Sequence, residues 1–428
     1  MENRSTYSYD MVKKLSFVRF GGTQEELQAA RLIQEEIAAF GGESTLVNFD
    51  IPAYRIDTCR MEVTAPFRRE IPCVGYGRSG QLPEGGVDLK LIYIELDCPA
   101  AYYGLEDLSG YAVLVNFPLS MDLYRELTAR HAGAILVIAQ DKWYNTPENT
   151  DLSPRALRDT MLTFGRIPSF GLRSRDAMEM LRDGARTVHL ELRQEEMRNP
   201  SRDVLAVIPG TEVTRESVIL TAHYDSVLVG TGSWDNATGA ATLLYLYEHF
   251  LTHPPKRTMR FLWCGSEEQG LLGSKAFAEQ NPELLSAIRF CFNFDMCGTI
   301  LGRNELVITG GEGLKTLCQA LCDEAGYPAE LRMGVHSSDS APFADNGVPA
   351  VGLSRGTRNG EIHTRYDQID ILSPEKLVEN AEFACFFIRR FVDSVIFPVK
   401  REQPEDMKQE LDKYFKRDKL AKTNSEKE

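Results

Sequence analysis

The chain has 428 residues, 43 % hydrophobic and 26 % charged, and a formal net charge of −14. That length exceeds what one hydrophobic core usually supports, so several domains, or one large domain with an insertion, are expected. The acidic balance argues against nucleic acid or an anionic lipid surface as a main partner and suits cationic ligands such as a free amine.

Residues 8–40 read as helical. Leu27, Ala30, Ile33, Ile37 and Phe40 recur three or four apart, close to the 3.6-residue period, and Gly41-Gly42 ends the run. Residues 45–51 read as a strand. From about 60 to 196 the texture changes. Short β-rich runs at 89–94, 111–116, 134–139 and 187–192 alternate with amphipathic stretches at 123–132 and 173–182. This block reads as a self-contained β-rich module, with the flanking segments joining across it.

From Asp203 onward the pattern becomes strand, loop, helix, repeated. Strands are expected at 218–222, 260–264, 288–294 and 350–353. Helices are expected at 237–253, after Gly273, at 313–325 and at 374–395. Strands alternating with helices point to a mainly parallel, mixed sheet sandwiched by helices. Residues 401–428 read as a charged C-terminal tail, with a short surface helix suggested by Met407, Leu411 and Phe415 and disorder in the last ten residues.

No apolar run is long enough to cross a bilayer. The first ten residues are polar with no apolar segment after them, which gives a cytoplasmic expectation. The nine cysteines are scattered without a CxxC pair, so free thiols in a reducing compartment are expected rather than a cysteine metal site.

In an open α/β sheet, functional residues gather at the carboxyl ends of the strands. His223 and Asp225 follow one expected strand, Glu267 and Glu268 a second, and Asp295 a third. His363 follows the loop after a fourth, and Asp235 precedes the helix at 237. Taken singly, a histidine after a strand is usually structural and an aspartate before a helix is usually a cap. Together they make two imidazoles and five carboxylates on neighbouring loops, a set that suits zinc and similar divalent ions. A pair of ions needs about two terminal ligands each and one bridging carboxylate. One carboxylate must stay off the metals to take a proton, and the adjacent Glu267 and Glu268 can divide those roles. His131, His189, His249, His253 and His336 are left as structural residues.

The order of motifs resembles the M28 family of metallopeptidases. The matching segments are His223-Tyr224-Asp225-Ser226, Asp235-Asn236-Ala237-Thr238-Gly239 and the run from Gly265 through Glu267-Glu268-Gln269-Gly270-Leu271-Leu272-Gly273 to Ser274. Asn293-Phe294-Asp295-Met296, Ser338-Asp339-Ser340-Ala341-Pro342-Phe343 and His363-Thr364-Arg365-Tyr366-Asp367 complete the set. The resemblance implies a zinc exopeptidase fold and two divalent metal ions, with zinc the expected metal. His223 and Asp295 would hold one ion, Glu268 and His363 the other, and Asp235 would bridge them. Glu267 would be the general base. Asp225 would orient His223, and Asp367 would hold His363 in the same way. The family also implies a cis peptide between Asp235 and Asn236.

Residues 61–196 look like an inserted protease-associated (PA) domain, carried by Asp107-Leu108-Ser109-Gly110-Tyr111-Ala112-Val113 and Ala132-Gly133-Ala134-Ile135-Leu136. In the family such a domain usually covers the active-site mouth. The peptidase would then comprise residues 1–60 and 197–400. The expected activity is removal of N-terminal residues from peptide substrates. A carboxypeptidase or dipeptidase of the same family, a glutaminyl cyclase and an inactive binding module are the rivals. Ile362 and Val348 stand where many relatives carry an oxyanion-stabilising tyrosine, which leaves Arg355, Arg358 and Tyr366 as candidates. Ser340 stands where a histidine is common, and Trp234 is expected either to shape the pocket or to belong to the core. Side-chain specificity and oligomeric state stay open, a homodimer being one option.

Overall fold

The computed structural model describes residues 4–96, 98–138, 152–212, 214–356 and 360–417. The chain divides into two compact units, one formed by residues 1–51 and 200–428 and the other by residues 52–199.

The first unit is built on a mixed sheet. Its strands run in the order Ala329–Met333, Arg303–Thr309, Ala350–Gly356, Ile288–Phe294, Ser217–His223, Thr258–Cys264 and the end of Thr187–Ile208. The four strands Thr258–Cys264, Ser217–His223, Ile288–Phe294 and Ala350–Gly356 are mutually parallel. The neighbours on both sides are antiparallel. Ser217–His223 is buried along its whole length, as a central parallel strand covered on both faces must be.

Alternate side chains of that strand feed two different cores. Val218, Leu220 and Ala222 join the helices Arg4–Leu15, Gln24–Ala39, Thr238–Thr252 and Pro374–Val392. Ile219 points the other way, into a core shared with Phe277, Phe343, Met407 and Leu411. The result is a sheet sandwiched between helical layers. Met407 and Leu411 belong to the helix Glu405–Tyr414, so the start of the expected charged tail is a docked amphipathic helix. Residues 418–428, where disorder was expected, lie outside the described residues.

The expected helical run at 8–40 is two helices, Arg4–Leu15 and Gln24–Ala39. The break falls at Gly21-Gly22, followed by an N-cap in which Thr23 Oγ1 accepts the Glu26 N–H at 3.3 Å. No described helix is long and apolar enough to cross a membrane.

The second unit is also built on strands, continuing from the first part of Thr187–Ile208, which pairs antiparallel with Val87–Ile94. Val87–Ile94, Tyr111–Val115, Ala134–Ile138 and Ser169–Leu172 are parallel, and Cys73–Gly77 pairs antiparallel with the last of them. Two cores lie within it, one around Leu114, Leu136 and Phe170 and the other around Val113, Ile135 and Tyr124.

Candidate metal centre

The parallel register lines up the strand ends. His223 is opposite Cys264, Thr221 opposite Asn293 and Phe294 opposite Leu353. The residues just beyond each strand therefore converge on one edge of the sheet, as the topology of an open α/β sheet requires. Three non-glycine residues in the left-handed region sit at these turns: Ser266 (φ 54°) before Glu267, Met296 (φ 62°) after Asp295, and His363 itself (φ 59°). Such conformations are disfavoured for side-chain-bearing residues and cluster where a site over-determines the backbone. The peptide between Asp235 and Asn236 is cis.

Two groups of ligand-type residues form here, His223 with Asp235 and Asp295, and Asp235 with Glu268 and His363. The ligand atoms of each group lie within 4.8 Å of one another. Asp235 belongs to both. Its Oδ1 is 3.1 Å from His223 Nε2 and its Oδ2 is 3.1 Å from His363 Nε2. Asp295 Oδ1 lies 3.4 Å from His223 Nε2, and Glu268 Oε2 lies 2.9 Å from His363 Nε2. His223, Asp235 and Asp295 are buried, whereas His363 keeps 51 % of its side-chain surface exposed. Glu267 stands in neither group.

The electrostatics are those of a site that attracts positive charge. Burial disfavours an imidazolium at His223, yet Glu267, Asp295, Asp225 and Asp235 together raise its pKa well above the ordinary value. Against the desolvation of its partly covered ring, hydrogen bonds to Asp235 and Glu268 raise His363 to about 11. Desolvation pushes Glu268 up to about 7, with Asp235 adding to the rise and His363 opposing it. Glu267 is also held well above the carboxylate range by desolvation, opposed by His223 and reinforced by Asp339, Glu268 and Asp295. Imidazolium protons in such a cluster occupy the place a divalent cation takes, so metal binding displaces them. The donor set also fits. Glu268 Oε1 and Asp295 Oδ1 are buried carboxylate oxygens without a hydrogen-bond donor, and the imidazole and carboxylate donors are those that zinc accepts.

Asp225 faces both His223 and the turn of the two glutamates. Its Oδ1 lies 3.4 Å from His223 Nδ1. Its two oxygens also accept the backbone N–H groups of Glu267 at 3.0 Å and Glu268 at 3.2 Å. It thereby fixes the turn that presents both glutamates. Asp367 accepts the backbone N–H groups of Trp234 at 2.6 Å and Asp235 at 3.0 Å, so it shapes the turn carrying Asp235.

Several residues that the motifs contain without an assigned role, or that the sequence leaves open, take supporting places around the site. Asn236 Nδ2 donates to the Phe294 carbonyl, and its Oδ1 accepts from the backbone N–H groups of Gly239 and Met296, which ties the turn at Asp235 to the loop of Asp295. Asp339, buried near Glu267, accepts a hydrogen bond from Ser274 Oγ at 2.6 Å. Trp234 packs in the main core. His336, left as structural, is buried with Nδ1 3.4 Å from Asn293 Nδ2, and burial lowers its pKa. Arg355 is buried and committed to the Thr299 carbonyl at 2.7 Å and to Asn304 Oδ1 at 3.2 Å, which withdraws it as an oxyanion or carboxylate reader. Arg358 lies outside the described residues. Tyr366 is 46 % exposed.

The chain is similar over 95 % of its length to aminopeptidase YwaD of Bacillus subtilis, with 23 % identity across 88 % of that protein. It is 29 % identical to aminopeptidase Y of Saccharomyces cerevisiae, over 43 % of this chain and 38 % of that protein. Among solved structures, a zinc aminopeptidase of Bacillus subtilis, BSAP, superposes with a TM-score of 0.77 at 21 % identity, over 94 % of this chain and 98 % of that one. An aminopeptidase from Aneurinibacillus sp. strain AM-1 gives 0.74 at 21 % identity, with the same coverage. Residues 203–388 match peptidase family M28, a span that contains every metal-type residue of the site, and the chain therefore carries a family M28 peptidase domain.

Proposed function

We propose that this protein is a two-metal aminopeptidase that removes N-terminal residues from peptides. The observation that carries the reading is the sharing of Asp235 between two groups of ligand-type residues. In this reading His223 and Asp295 would hold one ion, Glu268 and His363 would hold the other, and Asp235 would serve both. A bound pair of divalent ions supplies Lewis acidity, acidifying a water and polarising a carbonyl.

The chain's own residues do the rest. Glu267 takes a proton from the attacking water on a carboxylate oxygen and returns it to the leaving nitrogen. Asp225 keeps Glu267 and Glu268 at fixed positions through their backbone N–H groups. Asp367 does the same for Asp235. The carboxylate excess of the site favours a free peptide amine over a peptide carboxylate, and the engagement of Arg355 with Thr299 and Asn304 removes one arginine that a carboxypeptidase would need. The relatives described above are aminopeptidases, and one solved relative is a zinc enzyme; both facts favour aminopeptidase chemistry with zinc. In the same reading residues 61–196 form a PA-like insertion, supported by the separate cores of the unit at 52–199.

The test is metal content per chain by elemental analysis, with hydrolysis of aminoacyl anilides before and after chelation of the same sample. About two ions per chain and chelator-sensitive anilide release are expected. Metal without anilide hydrolysis, with release instead from N-blocked peptides, transfers the reading to a carboxypeptidase. Neither metal nor activity after adding zinc overturns the site.

A further inference from the structure

The chemistry-bearing residues outside the metal centre include one sulfur pair. Cys59 lies on the strand Ser44–Ala65 and Cys73 opens the strand Cys73–Gly77, both within the unit formed by residues 52–199. Their Sγ atoms are 3.5 Å apart. Six of the other cysteines are buried, whereas Cys59 and Cys73 are both partly exposed. We propose that Cys59 and Cys73 form a reversible redox modification site, closing to a disulfide by exchange with a low-molecular-weight disulfide.

The backbone holds the two thiols together in the reduced form. The segment between them folds back on itself, with Glu62 opposite Glu70 and Val63 opposite Arg69, and with the Ile71 N–H donating to the Met61 carbonyl at 2.8 Å. Cys73 is also anchored by its antiparallel register with Leu172. Bond formation therefore asks for an approach of about 1.5 Å between the sulfurs, toward the usual 2.05 Å, a distance within reach of side-chain rotation on fixed strands. A metal is a poorer occupant. Two sulfurs fall short of the four ligands of a structural zinc site, and no group of three or more metal-type residues among those described includes a cysteine.

The exchange is written in two steps. The Cys59 thiolate attacks one sulfur of the small disulfide, its S–S bond breaks, and the first small thiolate leaves and takes up the proton lost by Cys59. The Cys73 thiolate then attacks the Cys59 sulfur, breaks the mixed disulfide and expels the second small thiolate, which takes up the proton lost by Cys73. Two protein thiols are oxidised to one disulfide, and one small disulfide is reduced to two thiols. The neighbouring Cys73 S–H holds Cys59 below the ordinary thiol range, which suits Cys59 as the first nucleophile.

The full-length protein equilibrated in buffers of graded reduced and oxidised glutathione tests this. Thiols are counted by maleimide mass tagging after acid quench, and the cross-link is located by peptide mapping. In oxidising buffer the nine free cysteines should fall by two, with Cys59 and Cys73 lost together in one cross-linked peptide and recovered on reduction. Cys59→Ser and Cys73→Ser should each stop at a glutathione adduct on the remaining partner. Two thiols that stay free in the most oxidising buffer, or that end in the wild type as two separate adducts, overturn the proposal; that readout needs no variant to fold.

Discussion

The carboxylate of Asp367 accepts the backbone N–H of Asp235 at 3.0 Å, and its other oxygen accepts the N–H of Trp234 at 2.6 Å. A residue 132 positions away in the chain thus sets the turn from which Asp235 reaches two imidazoles. Asp367→Ala should leave the core intact and weaken metal binding about 10–100-fold, the usual effect of removing a partner that orients a ligand. Competition with a chelator of known affinity measures it. Unchanged affinity would separate Asp367 from the site.

Because Asp235 is common to both ligand groups and Asp295 to only one, their variants should differ in stoichiometry. Asp295→Ala should retain about one ion per chain after dialysis, held by the remaining group, and Asp235→Ala about none. Equal losses in the two variants would contradict the sharing of Asp235.

Glu267 belongs to neither ligand group, so Glu267→Gln should keep its metal content while turnover falls about 10²–10⁴-fold, the range for loss of a general base. Elemental analysis and kcat on the same preparation check both halves. A near-normal kcat would remove Glu267 from the proton transfer.

Glu26 is fully buried, accepting from Ser201 Oγ at 2.6 Å, Ser266 Oγ at 3.1 Å and the Gly22 N–H at 2.9 Å. Desolvation is the largest influence on it and, with Asp225 adding, raises its pKa to about 7 against these hydrogen bonds. A folded state that binds this proton more tightly than the unfolded chain is favoured most below the unfolded pKa, near 4.5. That advantage is lost as pH rises through 7, amounting to roughly 3 kcal/mol. Glu26→Gln should abolish this component of the pH dependence. Urea unfolding at pH 5, 6, 7 and 8 compares the slopes of the two proteins, and parallel profiles would refute the assignment.

Arg19 is a buried guanidinium donating to the carbonyls of Tyr224 at 2.6 Å, Thr231 at 2.6 Å, Gly232 at 2.9 Å, Phe17 at 2.8 Å and Leu15. These bonds staple the loop between Asp225 and Asp235 to the first helix. Arg19→Met strands several buried carbonyls and should cost about 3–5 kcal/mol in urea unfolding. A loss below about 1 kcal/mol would show that the loop holds without it.

The metal-type residues and the alternation of strands and helices are legible in the sequence because both are local. His223, Glu267, Glu268 and Asp295 each sit at the end of a short apolar run, and that placement alone aims them at one edge of a parallel sheet. The strands Arg303–Thr309 and Ala329–Met333 went unseen: the buried residues of the first mix the polar Asn304 and Thr309 with the apolar Leu306, Val307 and Ile308, and the second, at the edge of the sheet, shows no buried residue at all, so neither carries a strong apolar signal. The helix pattern at 8–40 concealed a break that Gly21 shows in three dimensions, where a Cβ would meet Ser266 Oγ at 2.3 Å. The partners of the site residues were decided by tertiary structure alone. That Asp225 serves Glu267 and Glu268, that Asp367 serves Asp235, and that Arg355 turns to Thr299 and Asn304 depend on contacts across 42 to 132 positions. A carboxylate's residue type and spacing determine that it can accept hydrogen bonds, but which N–H groups reach it is set only when the strands are in register.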